Sequence, residues 1–232
     1  MPLQWWLIMA DAGIVKRLMR FDSCTVSDAL DKLGLTGAVM GLLPLTLPGR
    51  RVAGRAVTVK LGAPLPDLPK RHLGAGAVMA AQAGDIIVVE HRGRTDVSGW
   101  GGLLSRGAVS KGVAAVVIDG ACRDVDESRD LGLPIFARVP VPVTARGRVA
   151  EHDFNCPITI AGLAVMPGDW LVADGSGVVF IPLARLEQVI AVADDILARE
   201  TLMARDIDAG TPIGEVMGAN YEDMLKTPET EK

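Results

Sequence analysis

The chain has 232 residues, 49% of them hydrophobic but only 4% aromatic, and carries a formal net charge of −4. That length holds one large domain or two small ones, with a core built from Val, Leu, Ile and Ala. The acidic balance and the lack of a basic face argue against nucleic-acid binding, and the scarce aromatics offer no stacking platform for single strands.

No polar linker or low-complexity stretch divides the sequence, so residues 1–232 read as a single domain with an N-terminal helical segment and a C-terminal helix and tail. The opening apolar patch, Trp5-Trp6-Leu7-Ile8-Met9, lacks a basic flank and is too short to be a signal peptide or membrane span. It reads as a packing patch on the domain or on a neighbouring subunit, in a soluble cytoplasmic protein with no membrane partner. Asp11 to Phe21 has a helical apolar face in Ile14, Val15, Leu18 and Met19. Thr25 to Gly34 follows as a short helix, started by Thr25 or Ser27 and ended by Gly34.

Val52 to Lys60 alternates like a strand, residues 64–69 form a loop, and Gly74 to Gln82 reads as a helix. Ile86 to Glu90 is a buried strand. The glycine cluster Gly99-Trp100-Gly101-Gly102 then opens an amphipathic run from Leu103 to Lys111. Val113 to Ile118 is a second buried strand, ending in Asp119 and the segment Gly120-Ala121-Cys122-Arg123-Asp124. A helical turn over Ser128 to Leu131 precedes strands at Pro134–Arg138, Val141–Thr144, Ile158–Ile160, Leu163–Val165 and Val178–Ile181, with turn signals at Pro167-Gly168-Asp169 and Asp174-Gly175. A long helix from Ala184 to about Asp208 closes the pattern, its stripe formed by Leu186, Val189, Ile190, Ala193, Ile196 and Leu197. Glu200 extends that stripe and so needs a partner, with Arg199 or Arg205 the local candidates.

The chemistry concentrates around one loop–helix–strand unit. Backbone N–H groups at the helix start after Gly101 can hold a carboxylate or phosphate, and glycines let a ligand approach the bare backbone. At the end of the next strand, Arg123 can hold a second oxyanion and Asp124 a hard cation. Each feature alone is equally a turn or a surface ion pair; their placement around one unit favours a site. The glycine cluster lacks the dinucleotide-binding spacing, has no strand directly before it, and no phosphate-binding loop of the Gly-x-x-x-x-Gly-Lys type is present. Cys24, Cys122 and Cys156 match neither a zinc pattern nor a disulfide framework and read as free thiols. Cys122 stands beside Arg123, which can lower a thiol pKa, but no histidine lies near it in sequence.

The stretch from Gly101-Gly102-Leu103-Leu104 to Gly120-Ala121-Cys122-Arg123-Asp124 resembles the RraA-like family, whose enzymes are class II pyruvate aldolases acting on 4-hydroxy-4-methyl-2-oxoglutarate and 4-carboxy-4-hydroxy-2-oxoadipate. Thr25 to Leu30, Gly84 to Val89 and Gly175 to Pro182 carry the same resemblance, which spans roughly residues 20–205. The resemblance implies an α/β fold, a compact ββα sandwich of the swivelling phosphohistidine-domain-like type, in a homo-oligomer (trimer or hexamer) with sites between subunits. It implies Mg²⁺ or Mn²⁺ on Asp124, a small oxo-acid substrate whose keto oxygen meets Arg123, and a carboxylate held around Gly101, Gly102, Leu103 and Leu104. Glu200 would reach from an adjacent subunit to hold metal-bound water, a catalytic role beside that of Arg123. The implied activity is carbon–carbon cleavage with oxaloacetate decarboxylation beside it. The alternative within the family is a non-catalytic regulator of a ribonuclease, a branch that lacks the acid after the arginine. The aldolases carry an acidic residue twenty-one positions before the arginine; here that position is Gly102, leaving Asp96 or His91 to substitute.

Overall fold

The computed structural model describes residues 3–66 and 72–218, with side chains from residue 11 onward. The side chains of Trp5 to Met9 and part of the 64–69 loop therefore lie outside the described residues. The chain opens with α1 (Leu3–Leu18) and α2 (Ser23–Lys32), then the short strands β1 (Ala38–Val39) and β2 (Leu43–Pro44). Next come β3 (Val52–Gly62), α3 (Ala75–Ala80), β4 (Ile86–Ser98), α4 (Gly102–Ser110), β5 (Ala115–Cys122), α5 (Val125–Asp130) and β6 (Ile135–Pro140). The later part holds β7 (Ala150–Phe154), β8 (Ile158–Ile160), β9 (Leu163–Val165), β10 (Trp170–Asp174), β11 (Gly177–Ile181), α6 (Leu186–Asp208) and α7 (Ile213–Val216).

One mixed sheet runs β1-β11-β10-β3-β4-β5-β6-β2, with β7 also pairing β3, while β8 and β9 form a separate hairpin. The β3–β4–β5–β6 run is parallel, as helical crossovers require, and the flanking pairs are antiparallel. The α/β class is as the sequence implies. Successive residues of β3 serve different cores because their side chains alternate between faces. Val57 and Val59 pack with α3 and α4 residues Ala77, Val78 and Ala108, on one side of the parallel strands. Ala56 joins Ile86, Val117, Phe136, Leu171 and Phe180, so the parallel and antiparallel halves fold against one another, with the β8–β9 hairpin packed in. Trp170, Val172 and Ile181 face a third cluster made by α1, α2 and α6.

Several elements differ from the sequence pattern. β7, β10 and the two-residue strands β1 and β2 were absent from it, as was α7. Val141 to Thr144 forms no strand: Val141 N–H donates to Cys122 O and Ser98 N–H to Val143 O, single bonds to two different strand ends rather than a ladder. β4 runs to Ser98, directly into the glycine cluster, so a strand does precede it. The N-cap of α2 is Asp22, whose Oδ1 accepts from Thr25 N–H at 2.8 Å and from the Thr25 hydroxyl at 2.7 Å; Thr25 is the donor rather than the cap.

Asp174, in the β10–β11 turn, ties that turn to α2. It accepts from Ser23 N–H and the Ser23 hydroxyl, each at 2.7 Å, and from Ser176 N–H at 2.9 Å, with Arg51 at 4.0 Å. Burial alone would raise its carboxyl pKa, but these donors together hold it below the ordinary 3.8. A depressed folded pKa contributes stability above 3.8 that is lost as pH falls through the folded value. Asp174→Asn is expected to cost about 2 kcal/mol at neutral pH, a melting temperature lower by about 4–8 °C. Thermal melts across pH check this: the gap to wild type must close in acid, and a gap independent of pH refutes the ionic account.

Candidate active site

Two strand ends and two helix starts meet beyond the C-terminal ends of the central strands β4 and β5. β4 makes a long excursion to reach this point, because the stretch Val89–Ser98 spans only Ile118–Ala121 on β5. The excursion is packed by His91, which is 2% exposed and places Nε2 2.8 Å from Val97 O. A Cβ on Gly120 would fall 2.5 Å from the His91 ring and 2.7 Å from Arg94 O, which excludes a side chain there, and one on Gly99 would stand 3.0 Å from the ring, a tight contact. Burial, the largest cause, lowers the His91 pKa and keeps the ring neutral. Gly99 N–H then donates to Ala121 O at 2.8 Å and Arg123 N–H to Trp100 O at 3.0 Å, locking the two segments side by side.

The glycine loop opens α4 with Gly101 as its N-cap, and Arg123-Asp124 opens α5 with Asp124 as its N-cap. Asp124 adopts φ 56°, the left-handed region that Asp tolerates better than most residues. Its carbonyl is held there by Ser128 N–H at 3.0 Å and the Ser128 hydroxyl at 3.1 Å. Ser128 Oγ lies 2.8 Å from Ser105 Oγ, which accepts the Trp100 indole N–H at 3.0 Å. This buried hydroxyl chain fastens the two helix starts together.

Asp124 Oδ2 accepts from Gly102 N–H at 2.9 Å and lies 3.2 Å from Arg123 Nε. Oδ1 takes no hydrogen bond from the described residues. A Cβ on Gly101 would stand 3.0 Å from Asp124 Oδ2 and 3.2 Å from Arg123 Nε, so glycine is what lets the pair lie against the loop. The Leu103 and Leu104 N–H groups belong to the unpaired first turn of α4 and take no acceptor among the described residues. These groups line a cleft of ≈ 370 Å³ together with Gly101, Gly102, Leu103, Leu104, Arg123 and Asp124, so six of the seven residues singled out by sequence come together.

The opposite wall comes from the 141–149 segment, with Thr144 and Arg146, and from His72 and Leu73 before α3. Arg146, which the sequence reading missed, also lines the cleft and is exposed. The seventh residue, Glu200, does not line this cleft. It sits half-buried on α6, where burial and then the carboxylates Asp28 and Asp22 push its pKa up. Neither local arginine serves it: Arg205 pairs with Asp206 at 3.7 Å, and no ion pair among the described residues includes Glu200.

Neither substitute for the missing acid reaches the cleft. His91 is enclosed, and Asp96 is held in a two-point pair with Arg94 at 3.0 and 2.7 Å. The side chain at the Gly102 position is instead Glu127: a Cβ on Gly102 would fall 1.9 Å from Glu127 Oε2. Among the described residues no group of three or more His, Cys, Asp or Glu could enclose a metal ion. One outward carboxylate oxygen beside open cleft suits a hard cation that keeps most of its waters, as Mg²⁺ or Mn²⁺ does, and not tetrahedral zinc. None of the described helices is long and apolar enough to cross a membrane.

Comparison with known proteins gives the family and the fold. The family profile RraA-like: Aldolase/RraA matches residues 23–180. Protein DlpA of Legionella pneumophila is 30% identical over 207 residues, 87% of this chain; the chain spans about a third of that relative, 32% of its length. The "Putative 4-hydroxy-4-methyl-2-oxoglutarate aldolase" of Halalkalibacterium halodurans is 31% identical over 86% of this chain and 93% of its own. The crystal structure of Streptomyces coelicolor RraAS2, described as an unusual member of the RNase ES inhibitor RraA protein family, has a TM-score of 0.74 and 28% identity, covering 83% of this chain and 96% of that one.

Cys122 is wholly buried behind the arginine, and burial, then the Asp124 charge, push its thiol up to about 12. The sequence allowed a lowered value beside Arg123; desolvation decides the opposite. Iodoacetamide near pH ~8 is expected to modify exposed Cys24 in the native protein and to leave Cys122 unmodified until unfolding. Peptide mass spectrometry reads the outcome, and native modification of Cys122 would show that the thiol is open to the cleft.

Proposed function

This chain belongs to the RraA-like family, and from that membership and the donor set of the cleft we propose a divalent-metal-dependent carbon–carbon lyase acting on a pyruvate-containing oxo-acid. The substrate class is that of 4-hydroxy-4-methyl-2-oxoglutarate, with oxaloacetate decarboxylation as a companion activity. The observation that carries the reading is the Asp124 carboxylate, with one oxygen fixed by Gly102 N–H and the other left open beside an unpaired helix start.

Asp124 would hold Mg²⁺ or Mn²⁺. Bound there, the ion supplies Lewis-acid polarisation of the substrate keto oxygen, worth several kcal/mol, roughly. The protein's own groups do the rest. The Leu103 and Leu104 N–H groups bind the carboxylate of the pyruvate unit, and the α4 dipole favours that anion. The Arg123 guanidinium stands over the keto carbon's oxygen and stabilises it as electrons from the breaking C–C bond form the enolate. Arg146, which also lines the cleft, would meet a second carboxylate of a dicarboxylic substrate. In decarboxylation the bond breaks with loss of CO₂ and needs no base, and in aldol cleavage a hydroxyl proton must also leave, to solvent water; in both, the enolate carbon then takes a proton from water to give pyruvate. Glu200, remote from its own cleft, acts in that of a neighbouring copy in a trimer or hexamer.

The likeness to RraAS2 favours one other reading, a regulatory binding protein without turnover. Pyruvate release from oxaloacetate separates the two. Wild type is expected to release pyruvate only with Mg²⁺ or Mn²⁺, and Asp124→Ala to lose that stimulation while staying folded by circular dichroism, with a melting temperature lowered by the loss of the Gly102 bond. Full stimulated turnover by Asp124→Ala refutes the site, and no turnover by wild type favours the regulator.

Arg123→Lys keeps the charge but not the planar fork, so turnover is expected to fall about 10²–10³-fold with little change in stability. A variant that unfolds instead would make Arg123 a structural partner of Asp124. Sedimentation tests the assembly: a monomer with full turnover excludes a role for Glu200 across subunits.

A further inference from the structure

Glu127 is a second carboxylate beside Gly102, outside the lining of the cleft itself, and sequence spacing alone does not reveal it. It lies in the first turn of α5, one helical turn beyond Asp124, so both carboxylates rise from the same helix start. Arg106 on α4 grips one oxygen, Nη2 to Oε1 at 2.8 Å, and this pair turns the other oxygen toward Gly102. There a Cβ on Gly102 would lie 1.9 Å from Oε2, 2.7 Å from Cδ and 3.2 Å from the Asp124 Cβ. The space that any side chain at 102 would enter is thus bounded by the Asp124 and Glu127 side chains together. Oε2 accepts no hydrogen bond from the described residues, and neither does Asp124 Oδ1. Two carboxylates, each with one oxygen fixed by the protein and one left open, flank the same glycine.

We propose that Glu127, oriented by Arg106, is a positioning residue for a divalent cation on Asp124, its Oε2 holding the water around that ion, and that Gly102 is glycine because Oε2 takes the room of a Cβ. The inference rests on the metal-dependent reading above. A carboxylate in this position accepts hydrogen bonds from coordinated water, whose protons are made more acidic by the ion, and so favours the cation without touching it. The competing account is that Glu127 serves only as the surface partner of Arg106.

Titration calorimetry of Mn²⁺ into the full-length, chelator-treated protein distinguishes them, with circular dichroism to verify folding of each variant. Wild type is expected to bind Mn²⁺, and Asp124→Ala to bind none. Glu127→Gln, nearly the same size, is expected to bind about 10-fold more weakly or worse. Arg106→Ala removes the orienting partner but keeps the carboxylate, and is expected to weaken binding by less than Glu127→Gln does. The double variant Glu127→Ala with Gly102→Asp moves the carboxylate to the other side of the same space and is expected to recover most of the affinity lost in Glu127→Ala. Wild-type affinity in Glu127→Gln, with Asp124→Ala still unable to bind, overturns the inference alone. Equal losses in Arg106→Ala and Glu127→Gln also overturn it, because the ion pair would then be what matters. If wild type binds no Mn²⁺, the metal-dependent reading fails and this inference falls with it.

Discussion

The hydrogen bond from Gly102 N–H to Asp124 Oδ2, at 2.9 Å, is the constraint on which the site depends. It joins the start of the helix after β4 to the start of the helix after β5, two points far apart in sequence and adjacent only because those strands pair in parallel. Everything around it is arranged to let the two approach. Gly101 has no side chain to strike the Arg123–Asp124 pair, and the β4 excursion over His91 brings the loop level with the end of β5. The Trp100–Ser105–Ser128 chain then satisfies the polar groups that the junction buries, which would otherwise cost about 1–3 kcal/mol each.

The junction stores strain as well as contacts. A left-handed aspartate costs on the order of 1 kcal/mol relative to its ordinary conformations. The two Ser128 bonds to its carbonyl offset that cost, and the same conformation turns the side chain back toward Gly102 rather than along α5. A more relaxed backbone at Asp124 would lose the bond to Gly102 and with it the fixed carboxylate oxygen. The strain is therefore tied to the geometry that any cation at this site requires.

The parallel half of the fold was legible because its strands are continuous runs of β-branched residues, as in Ile86–Val89 and Val113–Ile118, bounded by glycine and proline. The antiparallel half was less so. Trp170–Asp174 is buried at every position, so it shows no alternation, and it sits between two turn signals that mask it as a loop. β7 carries Glu151 at a buried position, where its Oε2 accepts from Gly74 N–H at 2.6 Å, so hydrophobicity could not find the strand. The same division holds in the site. Arg123, Asp124 and the α4 start follow from a strand-end motif, whereas Glu127 enters only through the left-handed turn at Asp124, and Arg146 only through a loop that pairs with no strand.

Charge is distributed unevenly over the molecule. The cleft gathers Arg123, Arg146 and the positive end of α4, while Glu200 and Asp28 face one another across α6 and α2 with Asp22 nearby. Burial first, then Asp28 and Asp22, raises the Glu200 carboxyl pKa, and burial, then Asp31 and Asp22, raises that of Asp28. A raised folded value means stability that is complete below the ordinary 4.5 of a glutamate and is lost as pH rises through the folded value. Within one chain this face is a cost at neutral pH, since no cation among the described residues pairs with Glu200. A cation from outside the chain reverses the sign, and the cleft of a second copy carries Arg123 and Arg146 as well as Asp124. The unfavourable acidic face and the cationic cleft thus have the complementarity that the proposed assembly needs, and the isolated subunit bears the electrostatic cost that assembly would remove.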